Sequence, residues 1–167
     1  QNLFNLKIKH KFNPSSKIQF QMNFTDSPRA EDAGGITLED SEEDRSQARQ
    51  RNLDYETYES VNHFKIGLNW DKSWTDKIIL STYGFYSFRD FYGKLPFENG
   101  GIIDLTRNYF GLGSRLNYKN GKNNLQVAAE LLDQSDQRDR YLNILGSQGS
   151  NSFSQEEKFQ NFSFSIL

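Results

Sequence analysis

Cysteine is absent from this chain of 167 residues, methionine occurs once, histidine twice and proline three times. Without cysteine there are no disulfides, thiolate metal centres or thiol nucleophiles, and His10 and His63 stand too far apart in the sequence to suggest a zinc site. No run of eighteen apolar residues occurs, which excludes a membrane-spanning helix. Charge of one sign is lacking too: 20 basic residues face 22 acidic ones, a net charge of −2 that sets up no general attraction for nucleic acid. No metal, cofactor or polynucleotide partner is therefore expected. What the chain has is aromatic residues, 14 Phe, 8 Tyr and 2 Trp in an otherwise polar composition, and these require an apolar surface to face.

The dominant pattern is alternation with a period of two, which sends successive side chains to opposite faces of a strand. Phe4, Leu6, Ile8, His10 and Phe12 share one face, with Asn5, Lys7, Lys9 and Lys11 on the other. After the turn-forming Asn13-Pro14-Ser15-Ser16, Ile18, Phe20, Met22 and Phe24 continue the apolar face. The same reading gives a third strand through Phe64, Ile66, Leu68 and Trp70, and a fourth from Lys77 to about Arg89. A fifth carries Phe110, Leu112, Leu116 and Tyr118. The Asn120-Gly121 hairpin signal leads to a sixth with Leu125, Val127, Ala129 and Leu131. A seventh runs from about Lys158 to Leu167, with Phe162, Phe164 and Ile166 on its apolar face.

Tight turns near 13–16, 71–76 and 120–122 alternate with long polar segments near 26–56, 90–107 and 134–157. A Greek-key sandwich gives no reason for that alternation, whereas an up-and-down outer-membrane barrel does, because its turns are short on one side and its loops long on the other. The apolar runs approach the roughly 9–11 tilted residues that cross a bilayer. Phe12, Trp70, Trp74 and Tyr118 fall near the short turns, and Phe24, Tyr86, Phe88, Tyr109 and Phe110 near the long segments, as two interfacial girdles require. The fold expected is all-β, an antiparallel up-and-down transmembrane β-barrel in a bacterial outer membrane. Seven antiparallel strands cannot close without one parallel pair, and an open edge in lipid leaves backbone groups unsatisfied, so the chain is expected to be a section of a larger barrel.

The loops carry a resemblance. Asp26-Ser27-Pro28-Arg29, Ala33-Gly34-Gly35-Ile36-Thr37, Asp44-Arg45, Ala48 and Asn52 resemble the corresponding loop of TonB-dependent outer-membrane receptors of the ferric siderophore and ferric citrate type, with Ala33 where Pro and Ile36 where Leu is frequent. Phe88-Arg89-Asp90-Phe91, Leu95-Pro96-Phe97 and Asp104-Leu105-Thr106-Arg107-Asn108-Tyr109-Phe110-Gly111 look like the next strand-loop-strand unit. Asp133-Gln134-Ser135-Asp136-Gln137-Arg138-Asp139-Arg140 with Asn143, Gly146, Gln155 and Glu156 looks like the third loop. The resemblance implies a barrel of about 22 strands, of which this chain supplies about seven. It also implies a plug domain and a TonB-contacting motif, neither of which lies in these residues, and a ferric chelate as ligand. A passive porin-like barrel and a soluble β-sheet binding module are the rival readings.

Parity places Arg89, Arg107, Arg115 and Gln134 on the polar face, with Arg89, Arg107 and Gln134 toward the long-segment end. Guanidinium groups there suit a carboxylate-rich chelate through bidentate bonds; the alternative use is pairing with acidic neighbours. Thr37-Leu38-Glu39-Asp40 fits a capping box opening a helix to about Ala48, its acidic run favoured by the helix N-terminus. That run lacks the alternate ligand spacing and Gly turn of a calcium loop. Gly34-Gly35, Gly100-Gly101 and Gly111-Leu112-Gly113 precede no phosphate-binding helix and read as turns and close packing. No nucleophilic or paired-carboxylate arrangement follows from spacing, so no enzyme is expected.

Overall fold

The computed structural model describes residues 1–167 as one antiparallel sheet of seven strands, each paired with the next in chain order. The strands are β1 (Asn2–Asn13), β2 (Ser16–Glu31), β3 (Tyr58–Thr75), β4 (Ile78–Lys94), β5 (Ile102–Asn120), β6 (Asn123–Ile144) and β7 (Ser147–Ile166). Two short helices, α1 (Leu38–Glu43) and α2 (Gln50–Asp54), lie between β2 and β3. The sheet is not closed: β1 and β7 each keep one unpaired edge.

Register joins the alternating faces into two continuous surfaces. Ile8 pairs with Phe20, Phe20 with Leu68, Leu68 with Gly84, Gly84 with Leu112, Leu112 with Leu131, and Leu131 with Phe162. One side is therefore apolar across all seven strands, and a one-residue slip anywhere would turn a strand inside out. No second layer covers it. Only 12 of 167 residues are buried, and Leu112, Phe162 and Phe164 on the apolar side are 55%, 74% and 61% exposed. An uncovered apolar surface of this extent needs an apolar medium or partner.

The opposite, polar side also carries rings, and they lie flat because glycines make room. A Cβ added at Gly111 would come within 2.3 Å of Phe85 Cε1, and one at Gly113 within 2.5 Å of Tyr83 Cε1. Phe85 pairs across the strands with Gly111 and Tyr83 with Gly113, so each ring covers the bare backbone beside it. Tyr109 meets Phe85 edge to face at 5.0 Å between centroids and thus belongs to this polar side, not to the girdle in which its position near a long segment first placed it. Gly111→Ala should force the Phe85 ring off the sheet and cost about 1–3 kcal/mol as overpacking, read as a lower thermal unfolding midpoint.

The turn end of the sheet follows local chemistry. Asn13 Oδ1 accepts from the Ser15 N–H at 3.0 Å, and Thr75 Oγ1 accepts from the N–H groups of Lys77 and Ile78 at 3.1 Å each. At the other end the strands run further than alternation of apolar residues indicates. The segment 134–157 is strand on both sides of a two-residue turn at Leu145-Gly146, and 90–107 is strand apart from 95–101. The polar residues there form a β-ribbon extending past the apolar band instead of irregular loops, because cross-strand hydrogen bonding does not require an apolar face. The segment 32–57 is the one long irregular connection.

Candidate functional site

The extended ends of the strands carry the packed part of the molecule. Eight of the twelve buried residues, Asn52, Thr57, Gly93, Gly100, Gly101, Ile102, Asn143 and Gly146, lie there. Asn143 is fully buried and joins three connections. Its Nδ2 donates to Tyr55 O at 3.1 Å and Leu95 O at 3.0 Å, its Oδ1 accepts from Gly146 N at 2.8 Å, and its backbone N–H donates to Glu98 O at 2.9 Å. Lys94 adds a second tie, reaching Glu56 Oε2 at 3.3 Å and Gly146 O at 2.5 Å. The second and third connections and the C-terminal end of the first are thus held as one body.

What stays outside that body is the stretch from Ala33 to Arg49. Its base is closed by Asn52, whose Nδ2 donates to Asp32 O at 3.1 Å, and by Thr57, whose hydroxyl donates to the same carbonyl at 2.7 Å. The capping box at Thr37 is present, with Thr37 Oγ1 accepting from Asp40 N at 3.1 Å and Asp40 Oδ2 accepting from Thr37 N at 3.3 Å. The helix does not reach Ala48. It stops at Glu43 because Asp44 turns its carboxylate onto the N–H and hydroxyl of Ser46, at 2.9 and 2.7 Å, and leaves the helical region. Those two bonds hold the exposed Asp44 carboxyl below its ordinary pKa.

Just inside the rim, one row of the polar side crosses five strands in register: His63, Arg89, Arg107, Asp136 and Glu157. Arg107 grips Asp136 through two bonds, Nε to Oδ1 at 2.8 Å and NH2 to Oδ2 at 2.5 Å, and Asp136 is almost wholly buried. Gln134 Nε2 also donates to Asp136 Oδ1, at 3.2 Å. Arg89 is different. It has no carboxylate partner, its buried Nε has no hydrogen-bond acceptor, and its guanidinium lies over the Phe91 ring at 5.4 Å. His63 Nε2 is engaged with Ser87 Oγ at 2.9 Å.

The four residues singled out from the sequence therefore separate. Arg89, Arg107 and Gln134 come together. Arg115 does not, since it lies eight residues along β5 from Arg107, roughly 26 Å away at about 3.3 Å per residue, where it lines a polar depression with Tyr83 and Glu130. Arg107 and Gln134 point at an internal acceptor, so of the cluster Arg89 alone keeps a charge that no carboxylate neutralises. Asp136 was not among the candidate residues; its place in register with Arg107 follows only once the strand pairing is known.

No family model matches the chain. Among solved structures, the ferric citrate transporter FecA in its unliganded form is similar at a TM-score of 0.68 and 20% sequence identity, over 98% of this chain and 26% of that one. The chain thus spans about a quarter of the neighbour's length, and the likeness is one of fold: seven consecutive up-and-down strands superpose on part of the wall of an outer-membrane β-barrel.

Proposed function

We propose that the chain is a section of the barrel of a TonB-dependent outer-membrane receptor that captures a ferric chelate with exposed carboxylates and passes it to the periplasm. The apolar side then faces lipid, the polar side faces a wet lumen, and the open edges of β1 and β7 pair with further strands, since unpaired backbone in hydrocarbon costs several kcal/mol per group. The role is capture and transport, not catalysis; the plug and the TonB complex are the partners of the assembled receptor.

The observation that carries the ligand class is Arg89 at the mouth, a guanidinium that no carboxylate of the chain neutralises. An incoming carboxylate supplies acceptors to its terminal N–H groups. Arg107, already neutralised by Asp136, holds the wall beside it, while Phe91 fixes the plane of the Arg89 guanidinium. In the full-length receptor, Arg89→Ala should weaken ferric citrate binding about 10- to 100-fold, the loss of one charge-assisted pair at 1.5–3 kcal/mol, with the barrel's unfolding midpoint unchanged. Titration calorimetry reads it; unaltered affinity in a folded variant defeats the assignment.

A further inference from the structure

Beyond the apolar band, toward the long-segment end, the two sides of the sheet exchange character. The side that carries Phe64 and Phe88 within the band continues as the polar row Asn62, Asp90, Thr106 and Gln137. The opposite side turns apolar at the same level: Val61, Phe91 and Leu105 pair in one row, and Ile103 stands in the next. All four are half-buried. They lie on β3, β4 and β5, strands whose two neighbours are both present, so no missing strand of the sheet accounts for their exposure. A Cβ added at Gly93 would come within 3.1 Å of Phe91 Cζ, so the bare backbone there lets the ring lie along the sheet.

Cations border this apolar row. Arg89 precedes Phe91 on β4 with its guanidinium 5.4 Å from the ring centroid, Arg138 extends the row beyond Leu105, and Arg140 extends the Ile103 row. None of the three is in an ion pair, and Arg140 is occupied only by Gly100 O at 3.4 Å. The carboxylates in adjoining positions, Glu59 beside Gly93 and Glu157 beside Asp136, stand at the outer flanks on β3 and β7 and take none of them.

An apolar patch rimmed by unneutralised cations matches an amphipathic anion, which buries its apolar part on the patch and makes charge-assisted bonds at the rim. Three strands at about 4.8 Å spacing make the patch roughly 10 Å across, and two rows give it about 6.6 Å along the strands. That is room for one aromatic ring or a short acyl chain. A ligand made only of carboxylates would leave the patch wetted, and a covering segment of apolar polypeptide would leave the guanidinium groups without acceptors.

We propose that Phe91 and Leu105, with Val61 and Ile103, form a shelf for an apolar arm of the ligand while Arg89 and Arg138 take its carboxylates. The captured chelate is thereby assigned to the amphipathic class, carboxylates on one part and an aryl or acyl group on another. This rests on the capture reading above and narrows its ligand. A further segment of the receptor folded over the shelf is the competing occupant.

The test compares two probes on the full-length receptor by titration calorimetry: ferric citrate, and the ferric complex of the mono-benzylamide of citrate, which adds one aryl arm. The shelf predicts that the benzylamide complex binds about tenfold more tightly, the gain from removing part of one ring from water. Leu105→Asn should bring that ratio near one, and Val61→Thr, which keeps the shape and suits a strand, should lower it in the same direction. Arg89→Ala should weaken both probes and leave their ratio standing. Equal affinities in the unsubstituted receptor, as a covered shelf would give, or a ratio indifferent to both Leu105→Asn and Val61→Thr, overturns the shelf while leaving capture by Arg89 intact. Should neither complex bind, the capture reading fails, and the metal-free anion 4-phenylbutyrate decides the shelf. Its ring should receive magnetisation from the receptor in a saturation-transfer measurement and lose it in Leu105→Asn; no transfer, or transfer indifferent to that change, overturns the shelf as well.

Discussion

Asn143→Ala is expected to release the rim. The substitution removes two donors and one acceptor from a fully buried site and strands the carbonyls of Tyr55 and Leu95 and the N–H of Gly146 without partners. At about 1 kcal/mol for each bond lost, and more where the orphan stays dry, the local cost is about 3 kcal/mol or above. The loss concentrates at the rim because the strands below remain paired along their whole length, so the apolar band and its unfolding midpoint should change little. Hydrogen exchange should speed up together at Gly101, Asn143 and Gly146, whose amides report the second and third connections. Independent changes at the three would mean that they are not one body. Asn143→Asp is the sharper variant, since a carboxylate accepts but cannot donate to the two carbonyls, and it should be worse than Ala if the cluster stays dry.

That staple was not legible in the sequence, and the reason is physical. Alternation reports which face a side chain takes, and it found all seven strands and the continuous apolar side, together with the turns near 13–16, 71–76 and 120–122, because the apolar face is dictated residue by residue. Asn143 sits beyond that band, among Tyr141, Leu142, Ile144 and Leu145, where apolar residues stand on both faces and alternation no longer marks parity, and its partners are main-chain atoms 48 and 88 residues away in the chain. The Leu145-Gly146 turn was hidden for a related reason. Both residues adopt positive φ, +46° and +89°, as a tight hairpin of this type requires, yet Leu in place of Asn or Asp gives no signal of it. Arg89 and Arg107 were found by parity alone; that one is spent and the other free depended on Asp136, whose identity was visible but whose register was not.

The largest single effect on the polar wall should come from separating Arg107 and Asp136. Arg107→Ala leaves a carboxylate with 1% of its side chain exposed and no cation, which costs about 3–5 kcal/mol for a fully buried pair and toward the lower end here, because the Arg107 side chain is 35% exposed and water can reach that end. Gln134 softens the loss through its bond to the same carboxylate. Asp136→Asn acts in the opposite electrostatic sense. It frees a second guanidinium beside Arg89, in register with it, so this end of the polar side gains a positive charge and, on the capture function proposed above, should bind ferric citrate more tightly while the wall is weakened. The double variant Arg107→Ala with Asp136→Asn leaves neither charge unpaired and should recover most of the stability lost in Arg107→Ala. Thermal unfolding of the four proteins gives the coupling as a double-mutant cycle. A coupling near zero would show the pair to be a solvent-screened surface contact, and a tighter-binding Arg107→Ala would transfer the capture role from Arg89 to the carboxylate side of the wall.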